Sequence, residues 1–395
     1  MKNNHQENFD GKKIQLINCI TFLFGFAHSL TAYIVSSYFQ QVSNKDNVSI
    51  FYFAIFAIVL IILLNLHKLI KKFSKSTVFF VFTIIFAATA LFLSYLPVFW
   101  AGAIILIINI IFFNLAFVVR DIILESYSRD KMSGRIRGLD LTIMNTGLIL
   151  GPFISVKILE NSSFQTIFLI QFFIALLVFV LAVFGLRKVN HRFKANITLH
   201  VLYNKILKRK NIMRIYYISF ILSFFYCLMI AYSPLYLRSI GMEWEKIGII
   251  FTLMLIPFIL LQYPAGFLAD KKIGEKEMII AAIIIMGLST LSIFFINSTS
   301  LIIWATVLFL TRIGAALLEI LRDSYFYKRI DGYDVEIVEF FRTSRAVGFI
   351  SASIISGILF LFFPMKFVFI IIAIVIFSGL IPAFNLVDNK IEEEI

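Results

Sequence analysis

Five ionisable side chains interrupt long apolar stretches of this sequence and are the first candidates for chemistry. Arg120 and Asp121 are adjacent, and His28 stands in a run without other charges. Arg312 is followed seven residues later by Glu319, which would lie on the same face of a helix two turns away. A charge in an apolar helix costs about 2.5–3.5 kcal/mol on insertion scales, so each of these residues is a candidate for a functional site.

Each candidate has a functional and a structural interpretation. Arg312 is either a cation that binds an anionic substrate or a partner of Glu319 or another neighbour. Glu319 and Asp121 either change protonation during function or form salt bridges, and the second is favoured because both lie near the ends of apolar runs. His28 is either a proton carrier near neutral pH or a neutral hydrogen-bonding group. Tyr226, deep in another apolar run, either lines a cavity or packs between helices.

Enzymatic and metal chemistry find little support. The two cysteines, Cys19 and Cys227, cannot supply the four clustered nitrogen and sulfur ligands of a structural zinc site. The sequence contains no His-Glu-x-x-His, no Gly-rich phosphate loop and no Ser/His/Asp set at a recognisable spacing. We therefore expect no enzyme activity, no metal, no cofactor and no ATP-driven step.

The composition indicates an integral membrane protein. Of 395 residues, 60% are hydrophobic and only 15% are charged, and the mean hydropathy is +0.93. In a soluble domain about a quarter of the residues are charged, so these values exclude a water-soluble enzyme. The high apolar fraction also excludes a disordered chain. One membrane helix needs about 20 apolar residues.

Long apolar runs, all but two of them without Asp, Glu, Lys or Arg, predict twelve such helices. They are residues 14–41, 48–66, 76–119 (two helices broken at Leu96-Pro97), 139–157, 163–186, 215–237, 247–269, 278–296, 301–321, 346–363 and 367–384. The runs are apolar throughout rather than alternating, which favours helices over a barrel. The first run lacks a following small-residue cleavage site, so we interpret it as a retained helix.

Alternate loops carry most of the Lys and Arg residues, which predicts that both termini are cytoplasmic. The formal net charge of +13 is therefore a topology signal, and no loop is large enough for a nucleic-acid-binding domain. The expected partners are the lipid bilayer and a small-molecule substrate, with protons as a further candidate. Twelve spans without a targeting peptide are typical of a bacterial cytoplasmic membrane.

A basic linker at 187–213 divides the chain into two segments of similar length, residues 1–186 and 214–395. Span four ends in Leu-Glu-Ser-Tyr and span ten ends in Arg-Asp-Ser-Tyr, and a basic loop follows each. This predicts two six-helix bundles related as parallel repeats, an architecture of secondary transporters.

Two motifs make this sequence resemble the major facilitator superfamily. The loop after span eight contains Gly266, Asp270, Lys271 and Gly274, similar to the family's loop signature but with one extra residue before the second glycine. Span five contains Gly147-Leu-Ile-Leu-Gly-Pro, similar to the Gly-x-x-x-Gly-Pro motif of proton-driven exporters, although Ser-Val replaces the Gly-Gly that follows. The family's mid-helix arginine of span four is not matched, since Arg120 lies too near the predicted end of the helix.

The resemblance implies a fold of two six-helix bundles with a substrate cavity between spans one, four, seven and ten. His28, Tyr226 and Arg312 would face this cavity. Asp270 would pair with Arg135 or Arg137 or cap a helix, and so hold the cytoplasmic side closed; the alternative is a solvated turn. Small residues of two corresponding helices mark either a moving interface or ordinary tight packing. These residues are Gly147, Gly151 and Pro152 in span five and Gly348 and Gly357 in span eleven.

The leading hypothesis is a secondary transporter that works by alternating access, with proton-coupled efflux, as in an antiporter, supported by the span five motif. An alternative is a facilitator or importer of a small anionic metabolite, supported by Arg312 and by the absence of a deep carboxylate in the first half. A lining mainly of aromatics would favour the first and several basic groups the second. A membrane scaffold or sensor that transports nothing is the alternative from another class.

Overall fold

The structure is a computed structural model that describes residues 11–127, 133–187, 209–269, 274–330 and 335–387. Within these ranges the chain is helical and contains no strand. The helices are α1 Gly11–Ala32, α2 Val35–Ser43, α3 Ser49–Leu63, α4 Leu66–Phe73, α5 Lys75–Tyr95, α6 Trp100–Glu125, α7 Ser133–Asn161, α8 Phe164–Gly185, α9 Lys210–Ser239, α10 Trp244–Leu253, α11 Ile256–Leu268, α12 Glu275–Ile293, α13 Leu301–Tyr327, α14 Val335–Phe362, α15 Val368–Ser378 and α16 Leu380–Phe384. A 3-10 turn, Met365–Phe367, precedes α15.

These helices form the twelve predicted spans. Eleven stretches of the described chain are long and apolar enough to cross a membrane, and the bent pair α3–α4 gives a twelfth. Span one comprises α1 and α2, span two α3 and α4, and spans three to seven are α5 to α9. Span eight comprises α10 and α11, and spans nine to eleven are α12 to α14. Span twelve comprises the 3-10 turn, α15 and α16. The prediction of an all-α membrane protein with twelve helices is confirmed.

Two breaks follow from local sequence. The chain turns by 53° between α3 and α4, where the apolar run gives way to an amphipathic helix. In α4, Leu66 and Ile70 are buried, whereas Lys71 and Lys72 are exposed. Pro97 lies in the turn between α5 and α6, as its fixed φ and missing N–H predict.

The described chain begins and ends at the same end of the bundle. Lys13 at the start of span one donates to the carbonyl of Gly185 at the end of span six, and Tyr325 at the end of span ten donates to the carbonyl of Val387. We call this the terminal end, which the sequence predicts to be cytoplasmic, and the opposite one the distal end. The linker at 187–213 stays a prediction, since residues 188–208 lie outside the described ranges.

Span five packs closely against span one because glycines remove side chains from the contact. A Cβ on Gly147 would lie 2.4 Å from the backbone oxygen of Phe22, and one on Gly151 would lie 2.4 Å from the Cβ of Ser29. Pro152 lies inside the same helix. The span five motif therefore serves a contact within the first six spans.

The glycines of span eleven serve two contacts. A Cβ on Gly348 would lie 2.7 Å from the Cβ of Ser223 in span seven, within the last six spans. One on Gly357 would lie 2.9 Å from the hydroxyl of Ser49 in span two, and the carbonyl of Gly357 accepts a 3.3 Å hydrogen bond from Asn47. Gly357 thus brings the two sets of six spans together near the distal end.

Span eleven begins earlier than the uncharged run at 346–363 predicts. Its helix starts at Val335, and its membrane-compatible part starts at Phe340. A search for uncharged stretches places Arg342 and Arg345 in the loop before the span, whereas the structure places both inside the helix. Both cations can therefore face other helices.

We predict that Gly147→Ala lowers the melting temperature in detergent by several degrees, because the new methyl group would overlap backbone of span one and cost about 1–3 kcal/mol. Gly138→Ala, in the same helix, is the matched control, because a Cβ there meets nothing within 4 Å. Equal melting temperatures for the two variants would contradict this account.

Candidate functional site

Arg345 lies among residues from several spans near the centre of the bundle. Its guanidinium carbon is 5.9 Å from the ring centroid of Phe117 in span four and 5.8 Å from that of Phe349. It is also within electrostatic range of Glu319 in span ten and Tyr226 in span seven. Arg345 is nevertheless exposed. Because protein groups lie on several sides of it, we assign this exposed surface to a space between the helices.

His28 contacts the same region from span one. Its ring stacks on Phe113 of span four at 4.5 Å with an interplanar angle of 9°, and Arg345 lies within electrostatic range. We call His28, Tyr226, Arg312, Glu319 and Arg345 the central cluster. It contains the three residues that the resemblance assigns to the cavity, the carboxylate of Glu319, and one arginine that the sequence analysis assigned to a loop.

Arg312 is buried, with 1% of its surface exposed, and its neighbours are aromatic. Its guanidinium carbon lies 4.9 Å from the ring centroid of Phe225 and 6.0 Å from that of Tyr226, at distances typical of cation–π contacts. Tyr33 of span one is a further neighbour. No hydrogen bond or ion pair joins Arg312 to Glu319 among the described residues, so these two form no structural pair.

Two polar atoms at this position have no hydrogen-bond partner in the described structure. They are Nη1 of Arg312 and the hydroxyl of Tyr226, both buried. A buried polar group without a partner costs about 1–3 kcal/mol, and more when it is charged. Arg312 can only donate, whereas the tyrosine hydroxyl donates and accepts. Both groups can donate, so each would be satisfied by an acceptor oxygen, and a negatively charged oxygen would also compensate the arginine.

Glu319 has a neutral partner rather than an arginine. Its carboxylate accepts a 2.9 Å hydrogen bond from Nε2 of Gln262 in span eight, and Oε1 of Gln262 accepts a 3.0 Å bond from Asn145 in span five. Gln262 is 1% exposed and Asn145 7% exposed. The three side chains connect span ten to a helix of the first six spans.

Arg120 and Asp140 form a buried ion pair beside this region. Two guanidinium nitrogens of Arg120 lie 3.1 and 3.0 Å from the two carboxylate oxygens of Asp140, in span five. The hydroxyl of Thr21 in span one donates to the same carboxylate at 2.7 Å and also contacts the guanidinium. The ring of Phe117 lies 4.5 Å from the guanidinium carbon. This arrangement joins spans one, four and five.

Asp121 joins the two sets of six spans. It lies 3.0 Å from Arg342 of span eleven and 3.4 Å from Arg120, and its side chain is 15% exposed. It belongs to the terminal-end third of span four, so this ion pair links spans four and eleven near the terminal end. The geometry corresponds to the salt-bridge interpretation of Asp121.

The loop after span eight is only partly described. Gly266 lies in the last turn of α11, where a Cβ would be 3.6 Å from Cγ1 of Ile320. Gly274 has φ 79°, a left-handed conformation that glycine adopts without strain. Asp270 and Lys271 lie outside the described residues. Arg135 and Arg137 belong to the first turns of α7, but their side chains also lie outside the description. The predicted ion pairs of this loop stay predictions.

The sequence analysis missed two kinds of residue. Asn145 and Gln262 are uncharged, so a scan for ionisable groups in apolar runs passes over them. Arg342 and Arg345 lie just before such a run and were attributed to a loop, whereas Asp140 lies at the start of a predicted span and was not singled out. The spacing of Arg342 and Arg345, three residues apart and continuous with a helical pattern, is a signal that could have extended span eleven. Among the described residues, no group of three His, Cys, Asp or Glu side chains could hold a metal ion.

We predict that Asp140→Asn lowers the free energy of unfolding by about 3–5 kcal/mol, because it removes the carboxylate that contacts two nitrogens of the buried Arg120 and leaves only the longer contact to Asp121. The double variant Arg120→Leu, Asp140→Leu should recover most of this loss, since no uncompensated charge remains. Unfolding in mixed micelles measures both. A double variant less stable than the single one would contradict the assignment.

Comparison with known proteins supports the architecture. The Major Facilitator Superfamily profile matches residues 17–331 and 245–394. A crystal structure of the nucleoside transporter NupG, in its D323A mutant form, aligns with a TM-score of 0.71 over 95% of this chain and 98% of that one, at 15% identity. In all, 285 chains of solved structures match, so the fold alone does not select a substrate. No curated protein sequence matches. The family profile, the twelve spans and the shared fold lead to one conclusion: this chain belongs to the Major Facilitator Superfamily, a family of secondary transporters.

Proposed function

We propose that this protein transports a small organic anion through the central cluster by alternating access. The observation that carries this proposal is the pair of buried, unpartnered polar atoms on Arg312 and Tyr226. A carboxylate or phosphate oxygen of a substrate would accept from both, and charge-assisted hydrogen bonds of this kind are about twice as strong as neutral ones. The adjacent rings of Phe225 and Tyr226 would contact an apolar part of the substrate.

The balance of charge in the cluster supports an anion. Arg312 and Arg345 contribute two positive charges, and Glu319 contributes one carboxylate that hydrogen-bonds to Gln262 instead of either arginine. An anionic substrate would restore neutrality beside the arginines at a low local dielectric. The lining is both aromatic and basic, so an anion with an apolar or aromatic portion fits it better than a lipophilic cation.

Alternating access in this proposal rests on contacts between the first six and last six spans. Near the distal end, Asn47 bonds to Gly357, and the ring of Tyr33 lies 4.7 Å from that of Phe251. Nearer the terminal end, Asp121 pairs with Arg342. Rocking of the two segments 1–186 and 214–395 would separate one set of contacts while the other stays closed. The loop residues Asp270, Arg135 and Arg137 would strengthen the terminal-end set.

Proton coupling is a second candidate, carried by Glu319. Its neighbours Arg345 and Arg322 are within electrostatic range, and the substrate would compete with Glu319 for Arg345. Uptake of a proton by Glu319 would accompany release or binding of the anion, which makes either symport or antiport compatible with this site. Asp121 is a weaker candidate for this role, because Arg120 and Arg342 both pair with it. His28 would carry a proton only if its stacking on Phe113 opened.

Other features of the proposal follow from the loop charges. Both termini would be cytoplasmic, because Lys and Arg residues are concentrated in the loops of the terminal end. The host membrane would be a bacterial plasma membrane. Export and import differ in which contacts open after loading, and the vesicle assay below separates them by the side of substrate addition.

We predict that Tyr226→Phe raises the KM for a transported organic anion about tenfold, and that Arg312→Gln raises it more. The first variant removes one hydrogen bond to a charged group, worth about 1.5–3 kcal/mol, and the second removes the cation. Proteoliposomes loaded with a pH-sensitive dye, screened with aliphatic and aromatic carboxylates, phosphate esters, nucleosides and lipophilic cations, measure uptake and proton movement together.

Matched controls come from span seven, which also contains Tyr226. Tyr217→Phe removes a hydroxyl that bonds to Ser378 at 2.9 Å on an exposed surface, and Arg238→Gln removes an exposed cation near Trp244. Both should transport like the native protein. Transport of uncharged nucleosides or lipophilic cations, unaffected by Arg312→Gln, would overturn the anion proposal. Absence of any transport by folded protein would favour a scaffold or sensor.

A further inference from the structure

We infer that Gln262 is a positioning residue that couples the charge on Glu319 to the contact between spans five and eight. The inference rests on the proposed function, in which Glu319 changes its charge or its partner during transport. Gln262 is the side chain that contacts both Glu319 and Asn145, at 2.9 and 3.0 Å, and it is 1% exposed.

The chemistry of the carboxylate sets the direction of this chain of hydrogen bonds. An ionised carboxylate can only accept, so Gln262 must turn its NH2 group toward Glu319. The carbonyl oxygen of Gln262 then faces span five, where it accepts from the NH2 group of Asn145. A charged acceptor polarises the amide, and the bond at its other end becomes stronger. A neutral Glu319 would lose this effect and could itself donate, which removes the preference for the observed orientation.

The charged groups around Glu319 affect the strength of the hydrogen bonds that connect it through Gln262 to Asn145. Arg322 and Asp323 in span ten and Arg345 in span eleven lie within electrostatic range of Glu319. None of these groups donates a hydrogen bond to Glu319 among the described residues. An anionic substrate beside Arg345 would screen that arginine from Glu319, and the effect would reach Asn145 through Gln262.

The position of the bond explains why it matters for access. Gln262 lies in α11, the half of span eight nearer the terminal end, and Asn145 lies in the half of span five nearer that end. Another contact of these two spans, between Gly248 and Val156, lies about 16 Å farther along span five toward the distal end. Opening of the terminal end must therefore break the Asn145–Gln262 bond while the Gly248–Val156 contact can persist.

Distances between spin labels at Lys72 and Glu277 test this inference. Both residues are exposed, and they lie at the terminal ends of spans two and nine. In a Cys19→Ser, Cys227→Ser background, we expect Gln262→Leu and Asn145→Leu to raise the ratio of long to short distances about tenfold, the effect of losing one hydrogen bond in a charge-assisted chain. Glu319→Gln should raise it by less, because a neutral acceptor remains.

A double-mutant cycle isolates the coupling. Glu319→Gln should produce no further change in the Gln262→Leu background, because the group that transmits its charge is gone. The exchange variant Gln262→Glu, Glu319→Gln should return the ratio to the native value or below, since the new carboxylate at 262 can accept from Asn145 and from the new amide at 319. Additive effects of Gln262→Leu and Glu319→Gln would overturn the inference.

Gln171→Leu is the matched control, because Gln171 is equally buried but bonds to Ala27 and Thr31 within the first six spans. It should leave the distance ratio unchanged, and a change as large as that of Gln262→Leu would also overturn the inference. Anion transport that depends on Tyr226 and Arg312, with native distances in Gln262→Leu, would retain the proposed function and remove only this coupling. A tenfold change in the distance ratio without anion transport would retain this coupling and overturn the proposed function.

Discussion

An arginine buried among apolar helices must be compensated by the groups that surround it, and this requirement organises the centre of the protein. Arg120 and Arg312 occupy spans four and ten, and both are 1% exposed. Two nitrogens of Arg120 contact both oxygens of Asp140, and Thr21 contacts the same guanidinium, so this residue holds three helices together although its Nε has no hydrogen-bond partner. Arg312 is matched by aromatic rings, which stabilise a cation less completely and leave one of its nitrogens unpartnered. The first arginine has a carboxylate partner among the described residues and the second has none, and this difference supports the proposed anion site.

The two sets of six spans differ in the same way. The first set is held by close backbone contact, as at Gly147 and Gly151, and by the buried ion pair of Arg120 with Asp140. The last set carries Arg312, Glu319 and Arg345, whose hydrogen-bonding capacity is only partly used. A substrate site needs such unused capacity, because a group that is already satisfied gains little from a ligand. A helix that must move as part of a rigid unit needs the opposite.

The sequence predicted the architecture well because the membrane restricts the choice. Backbone polar groups in lipid must be satisfied within a helix, so each long apolar run had one available structure. The prediction of twelve helices followed from hydropathy, and Pro97 marked the break between spans three and four as expected. The start of span eleven was wrong, because charged residues were taken as loop residues. Arg342 and Arg345 are tolerated inside that helix because Asp121 and the central cluster face them.

The candidate site was predicted only in part. His28, Tyr226, Arg312 and Glu319 stood out as polar groups within apolar runs, and the structure brings them near one another. Asn145 and Gln262 gave no signal, since one amide in a span is common and acquires meaning only through its partner on another helix. The same limit applies to Arg120, which the sequence placed too near the end of its helix to match the family's mid-helix arginine and which the structure buries against Asp140.

The sequence by itself therefore determined the number of spans, their helical form and the polar residues they carry, because these depend on hydropathy over a single segment. The tertiary structure alone decided which buried charge has a carboxylate partner and which hydrogen bonds cross between the two sets of spans. Those properties depend on distances of about 3 Å between helices that are far apart in the chain, such as the 3.0 Å bond from Asn145 to Gln262, and no local pattern encodes them.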